Sequence, residues 1–213
     1  MAEVIVALDV LSAERALRLV DDLPDLRWVK VGSVLFVREG PAIVEALHAR
    51  KLNVFLDLKW HDIPNTVAGA VQAAAESGVR LATVHALGGA EMIRAAVRSA
   101  GTMRLAAVTV LTSHPPAEDE SVRLAMLAVE AGAGAVVTSA GEAAAIRRHV
   151  GPDPWIVVPG IRPRGAPEDD QRRTATAAQA LAAGATHMVV GRPILRAEKP
   201  REVYSRLCEE ASS

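Results

Sequence analysis

The chain has 213 residues, half of them hydrophobic, 23% charged and 3% aromatic, with 24 Lys plus Arg against 25 Asp plus Glu and a net charge of -1. That much apolar material buries about 70% of the surface of a chain this size and excludes disorder as the main state. Near-neutral charge and few aromatic rings disfavour a nucleic-acid partner, which needs a basic face and stacking platforms.

A single cysteine, Cys208, permits no internal disulfide and no cysteine-based zinc site. No apolar run reaches the roughly 18 residues of a membrane span, and Met1-Ala2-Glu3 leads directly into Val4-Ile5-Val6-Ala7-Leu8 without a basic leader. The expectation is a cytoplasmic protein with no membrane association.

Short β-rich runs alternate with longer Ala/Leu/Arg/Glu runs. Strands are predicted at 3–9, 28–32, 53–59, 81–86, 105–112, 135–139, 155–161 and 187–192. Helices are predicted at 12–22, 40–50, 64–77, 89–99, 118–131, 142–149, 174–183 and 200–210. Ser12 suits an N-cap and Pro64 a first helical turn, while Gly78, Gly132, Gly151 and Gly184 follow helix ends. The strands are near-continuous apolar runs, as in parallel sheets buried on both faces. Eight strand–helix units over residues 1–213, with no linker between halves, fit a single-domain α/β fold, a (β/α)8 TIM barrel. A doubly wound open sheet is the alternative, but Asp9-Val10-Leu11-Ser12 lacks its glycine-rich turn.

Barrel enzymes place their chemistry at the C-terminal strand ends. Those ends read Asp9, Lys30, Asp57, Lys59, His85, Thr112, Ser139, Arg162 and Arg192. Only four lysines occur (30, 51, 59 and 199) against 20 arginines, so two of the four at strand ends is unusual. Asp57 and Lys59, two apart on one strand, are expected on the same face, with Val54, Leu56 and Leu58 turned outward. Charges confined inside a barrel must pair, so an alternating Lys–Asp array with Lys30 and Asp9 is expected, either as a reactive centre or as a structural ion-pair network.

Pro159-Gly160-Ile161-Arg162 and Val190-Gly191-Arg192 end the last two strands, where this fold usually holds phosphate, and Gln171 lies in the loop between them. His61, His85 and His114 have no metal-ligand spacing. Asp9, Asp57 and Asp62 could serve magnesium, but Lys30 and Lys59 already neutralise these carboxylates.

Asp57-Leu58-Lys59-Trp60-His61-Asp62-Ile63-Pro64-Asn65-Thr66-Val67 closely resembles the D-x-K-x-x-D signature and flanks of the orotidine 5'-phosphate decarboxylase family. Val6-Ala7-Leu8-Asp9, Val29-Lys30-Val31-Gly32, Val108-Thr109-Val110-Leu111-Thr112-Ser113, Pro159-Gly160-Ile161-Arg162-Pro163, Asp170-Gln171 and Val190-Gly191-Arg192-Pro193-Ile194 extend the resemblance along the chain. After Ser113 the chain passes through His114-Pro115-Pro116 to the next helix, a shorter connection than many bacterial members carry.

The resemblance implies decarboxylation of orotidine 5'-monophosphate to uridine 5'-monophosphate without metal or organic cofactor. It implies Lys59 as proton donor, Asp57 beside the departing carboxylate, and Lys30 and Asp9 on the ribose. Asp62, with Ile63 and Thr66, would enter the neighbouring subunit's site in a homodimer. Thr112 would border the pyrimidine. Arg162, Gln171, Gly191 and Arg192 would hold the phosphate, and the loops after strands five and seven would act as lids. The rival within the superfamily is a magnesium-dependent sugar-phosphate decarboxylase or aldolase. A rival of another class is a catalytically silent phosphate-binding barrel.

Overall fold

The computed structural model describes residues 2–111, 115, 117–163 and 174–212. Eight parallel strands close into a barrel in sequence order: β1 (Glu3–Ala7), β2 (Trp28–Gly32), β3 (Asn53–Trp60), β4 (Leu81–His85), β5 (Arg104–Val108), β6 (Ala135–Val137), β7 (Trp155–Pro159) and β8 (His187–Val190). β8 pairs back onto β1, so Asp9, after β1, sits near Gly191, after β8.

The helices are α1 (Ala13–Asp21), α2 (Ser33–Glu39), α3 (Ala42–His48), α4 (Pro64–Glu76), α5 (Gly89–Ser99), α6 (Glu118–Glu130), α7 (Ala140–Val150), α8 (Ala177–Ala182), α9 (Arg192–Leu195) and α10 (Pro200–Glu210). Local signals set several boundaries. Ser12 caps α1 by accepting a hydrogen bond from the Arg15 N–H, Pro64 opens α4, and Thr176 with Gln179 forms a capping box on α8. Gly78, Gly132, Gly151 and Gly184 all have positive φ, as helix-terminating glycines should.

Two helices depart from the sequence expectation. The segment predicted as one helix over 40–50 is preceded by a separate helix, α2, because Gly40 at φ 63° followed by Pro41 breaks the chain between α2 and α3. Val34-Leu35-Phe36-Val37 is a continuous apolar run, which hid the helical period. Likewise β8 stops at Val190, and Arg192, read as strand, opens the short α9.

Alternation along the strands separates two cores. Ile5, Phe55, Leu81, Ala106, Ala135, Val157 and Val189 fill the barrel, large Phe55 and Leu81 beside small Ala106 and Ala135. Val54, Leu56 and Leu58 face outward toward the helices, as expected.

The N-terminal mouth is plugged by rings. Trp155 packs 4.2 Å from His187 and 6.0 Å, edge-on, from Trp28, with the Arg104 guanidinium 4.2 Å above the Trp155 ring. Burial, reinforced by Arg104, pushes the His187 pKa down to about 4.

His187 therefore stays neutral in the folded protein while the unfolded chain takes up a proton as pH falls from 6.5 toward about 4. Its stabilising contribution is complete above pH 6.5 and declines through that window by on the order of 3 kcal/mol. Urea unfolding measured from pH 7 to 4 should show this slope, and His187→Gln should flatten it.

Candidate active site

The C-terminal ends of β1, β2 and β3 converge on a line of alternating charges. Lys30 Nζ lies 3.0 Å from Asp9 Oδ1 and 3.6 Å from Asp57 Oδ2, and Lys59 Nζ lies 2.8 Å from Asp57 Oδ1. The predicted Asp9–Lys30–Asp57–Lys59 array is therefore present. Its members are unequally buried: the side chains of Lys30 and Asp57 are only 12% and 13% exposed, that of Lys59 is 39% exposed and that of Asp9 55%. The inner pair supplies a desolvated, fixed field, while Lys59 borders open space. Asp9, Lys30, Asp57 and Lys59 line a cleft of about 310 Å³ together with Leu11, Gly32, Ser33, Val34 and Leu35.

Burial opposes ionisation of Asp57 and is the largest single influence on it. The two ammonium groups outweigh it, and with hydrogen bonds from Lys59 and Thr83 they hold the carboxyl below its ordinary range.

The ladder is irregular where Asp57 and Lys59 meet. Leu56 pairs with Ala82 and Trp60 with Val84, so residues 57–59 stand opposite Thr83 alone. This is a bulge, and within it Lys59 adopts φ 53°, a left-handed conformation uncommon for a residue with a Cβ. Side-chain alternation foresaw the contact but not its cause.

The buried Thr83 hydroxyl accepts a hydrogen bond from the Lys59 N–H at 2.8 Å and donates to Asp57 Oδ1 at 3.1 Å. Sequence reasoning missed Thr83. Its signal was a hydroxyl inside the apolar run Leu81-Ala82-Thr83-Val84, on the same face as His85.

Gly32 was also missed as a site position. A Cβ there would lie 3.1 Å from Lys30 Nζ and 3.3 Å from Asp9 Oδ1, and one on Gly191 would lie 3.4 Å from Asp9 Oδ2. Gly32 makes room for the array, whereas a Cβ on Gly191 would meet Asp9 at an ordinary van der Waals distance.

Other expected residues fall around this centre. Gly191 and Arg192 follow β8, and Arg162 follows β7, where its N–H donates to the Ala175 carbonyl at 2.9 Å and ties the two ends of the intervening loop together. Asp62, Ile63 and Thr66 are exposed at the start of α4. Asp62 Oδ1 accepts from the Ile63 N–H at 2.6 Å, and Asp62 forms no ion pair with Lys30 or Lys59 of its own chain. Thr112, His114 and Gln171 lie outside the described residues. His61 stacks on His85 with ring centroids 5.4 Å apart. Desolvation, then His61, then Lys59 lower the His85 pKa and favour its neutral form. Among the described residues no group of three or more His, Cys, Asp or Glu side chains is arranged to hold a metal ion, and no helix is long and apolar enough to cross a membrane.

The sequence and the fold of the chain match a known set of proteins. The family model described as "Orotidine 5'-phosphate decarboxylase / HUMPS family" matches residues 2–207. The chain belongs to this family. It is 50% identical to the orotidine 5'-phosphate decarboxylase of Thermobifida fusca (strain YX), covering 98% of this chain and 95% of that protein. It is 48% identical to that of Alkalilimnicola ehrlichii, covering 100% and 97%. A crystal structure of orotidine 5'-phosphate decarboxylase from Lactobacillus acidophilus superposes with a TM-score of 0.88 at 35% identity, covering all of both chains. The decarboxylase family therefore shares with this chain both the closed barrel and its full length.

The depressed Asp57 pKa sets an acid limit. Its contribution to stability is present above the unfolded carboxyl value of about 3.9 and is lost as pH falls through the lower folded value. An acid titration followed by circular dichroism should show a shallower loss of stability below about pH 4 in Asp57→Asn than in the parent.

Proposed function

We propose that this protein converts orotidine 5'-monophosphate to uridine 5'-monophosphate and carbon dioxide, as a cofactor-independent carboxy-lyase of pyrimidine biosynthesis. The observation that carries the reading is the Asp9–Lys30–Asp57–Lys59 line at the C-terminal mouth of a barrel belonging to this family.

The nucleotide phosphate is held by Arg162, Gln171, Gly191 and Arg192, and the ribose hydroxyls by Asp9 and Lys30. Thr112 borders the pyrimidine. The bond between C6 and the carboxylate breaks, its electron pair remains on C6, and carbon dioxide leaves past Asp57. Negative charge then develops on a carbon with no electron sink. The Lys59 ammonium, already fixed 2.8 Å from Asp57, stabilises that charge without reorganising and donates a proton to C6. Solvent reprotonates Lys59, whose exposed side permits it. Binding energy from the remote phosphate orders the site around the reacting carbon.

The working unit is a cytoplasmic homodimer in which Asp62, Ile63 and Thr66 complete the neighbouring site. Support comes from the surface. Leu11 (65%), Val34 (56%), Val37 (81%), Ile63 (66%) and Leu87 (58%) are exposed large apolar side chains, all in segments that follow the C-terminal ends of β1 to β4. An apolar rim around an active-site mouth is suited to burial against a second copy.

Loss of ultraviolet absorbance on adding orotidine 5'-monophosphate tests the activity directly. Turnover should persist in excess chelator, whereas loss on chelation would favour a magnesium-dependent reaction. Lys59→Ala should remain folded and bind nucleotide while kcat falls by more than about 1,000-fold; near-normal turnover would refute its role.

A mixture of Lys59→Ala and Asp62→Ala chains, each inactive alone, should recover about a quarter of parental activity, since half the dimers then carry one intact site. No recovery would refute sharing across the interface.

A further inference from the structure

The bulge in β3 poses a mechanical problem. Three residues, 57–59, stand opposite one residue of β4, so the ordinary ladder cannot satisfy every backbone group there. Lys59 is moreover held in the left-handed region, a conformation that persists in a residue with a Cβ only where its surroundings enforce it.

One group meets both needs. The Thr83 hydroxyl, fully buried, offers one donor and acceptor lone pairs. The acceptor side takes the Lys59 N–H at 2.8 Å, and the donor side bonds Asp57 Oδ1 at 3.1 Å. Asp57 Oδ1 is also the oxygen that receives Lys59 Nζ at 2.8 Å. Backbone of Lys59, hydroxyl of Thr83, carboxylate of Asp57 and ammonium of Lys59 thus form a closed ring of three hydrogen bonds. The ring fixes the origin and the far end of the Lys59 side chain at once.

We propose that Thr83 is a positioning residue for the decarboxylation step, setting the left-handed backbone of Lys59 and the rotamer of Asp57 through a single hydroxyl. The assignment rests on the activity proposed above. Thr83 acts through Lys59 and Asp57 rather than on substrate, so its loss shows in kcat. Phosphate and ribose contacts come from β1, β2, β7 and β8 and leave KM nearly unchanged.

The test compares Thr83→Val, which keeps shape and strand preference but removes the hydroxyl, with Thr83→Ser, which keeps the hydroxyl. The parent enzyme is assayed first with orotidine 5'-monophosphate; an inactive parent overturns the activity, not the role of Thr83. With an active parent, Thr83→Val should lower kcat by about 10- to 100-fold, the range expected when a reacting group is misplaced by about 1 Å. KM should stay within about threefold, and Thr83→Ser should recover most of the loss. A crystal structure of Thr83→Val should show residue 59 leaving the left-handed region or Lys59 Nζ drawn away from Asp57 Oδ1. If Thr83→Val does not fold, Thr83→Ala against Thr83→Ser makes the same comparison. Unchanged kcat on losing the hydroxyl, or a serine variant as impaired as the valine variant, would overturn the proposal.

Discussion

Asp57 is the interaction on which the site depends. Its carboxylate, nearly enclosed, stands between two ammonium groups, with Lys30 on Oδ2 and Lys59 on Oδ1. Burying one carboxylate alone would raise its pKa and neutralise it, and burying two cations alone would be costlier still. Together with Asp9 the four formal charges cancel, and the two ammonium groups keep Asp57 ionised. The outcome is a fixed field with one cation, Lys59, at its open edge.

The fold supplies that arrangement through adjacency. β1, β2 and β3 are consecutive in the barrel, so Asp9, Lys30 and Asp57 lie side by side without any long connection. Closure of β8 onto β1 then brings the Gly191-Arg192 segment round to Asp9. The proposed phosphate grip and the charge array, encoded at opposite ends of the sequence, become neighbours because the sheet has no edges. A small residue completes the fit: Gly32 leaves room where a Cβ would crowd Lys30 and Asp9.

The two mouths of the barrel contrast in chemistry. At the N-terminal mouth, Trp28, Trp155, His187 and Arg104 make a packed plug in which the histidine is kept neutral. At the C-terminal mouth, charges are retained and the space is left open. A packed plug at one end and a charged cleft at the other is the division of labour general to this architecture.

Much of this was legible in the sequence. Eight apolar runs alternating with helical segments specify a parallel sheet buried on both faces, and their number, with no glycine-rich turn after the first, favours a barrel over an open sheet. Polar residues at the ends of those runs mark the site, and two of four lysines falling there point to paired charge. What the sequence did not determine is geometry across strands. The bulge at residues 57–59, the left-handed backbone of Lys59 and the Thr83 hydroxyl that bridges Lys59 to Asp57 arise from register between β3 and β4, which is set by packing of the whole barrel rather than by local pattern. The helix Ser33–Glu39 was hidden for a related reason: its continuous apolar run has no visible period, and only its place in the barrel, against β2 and α3, decides between helix and strand.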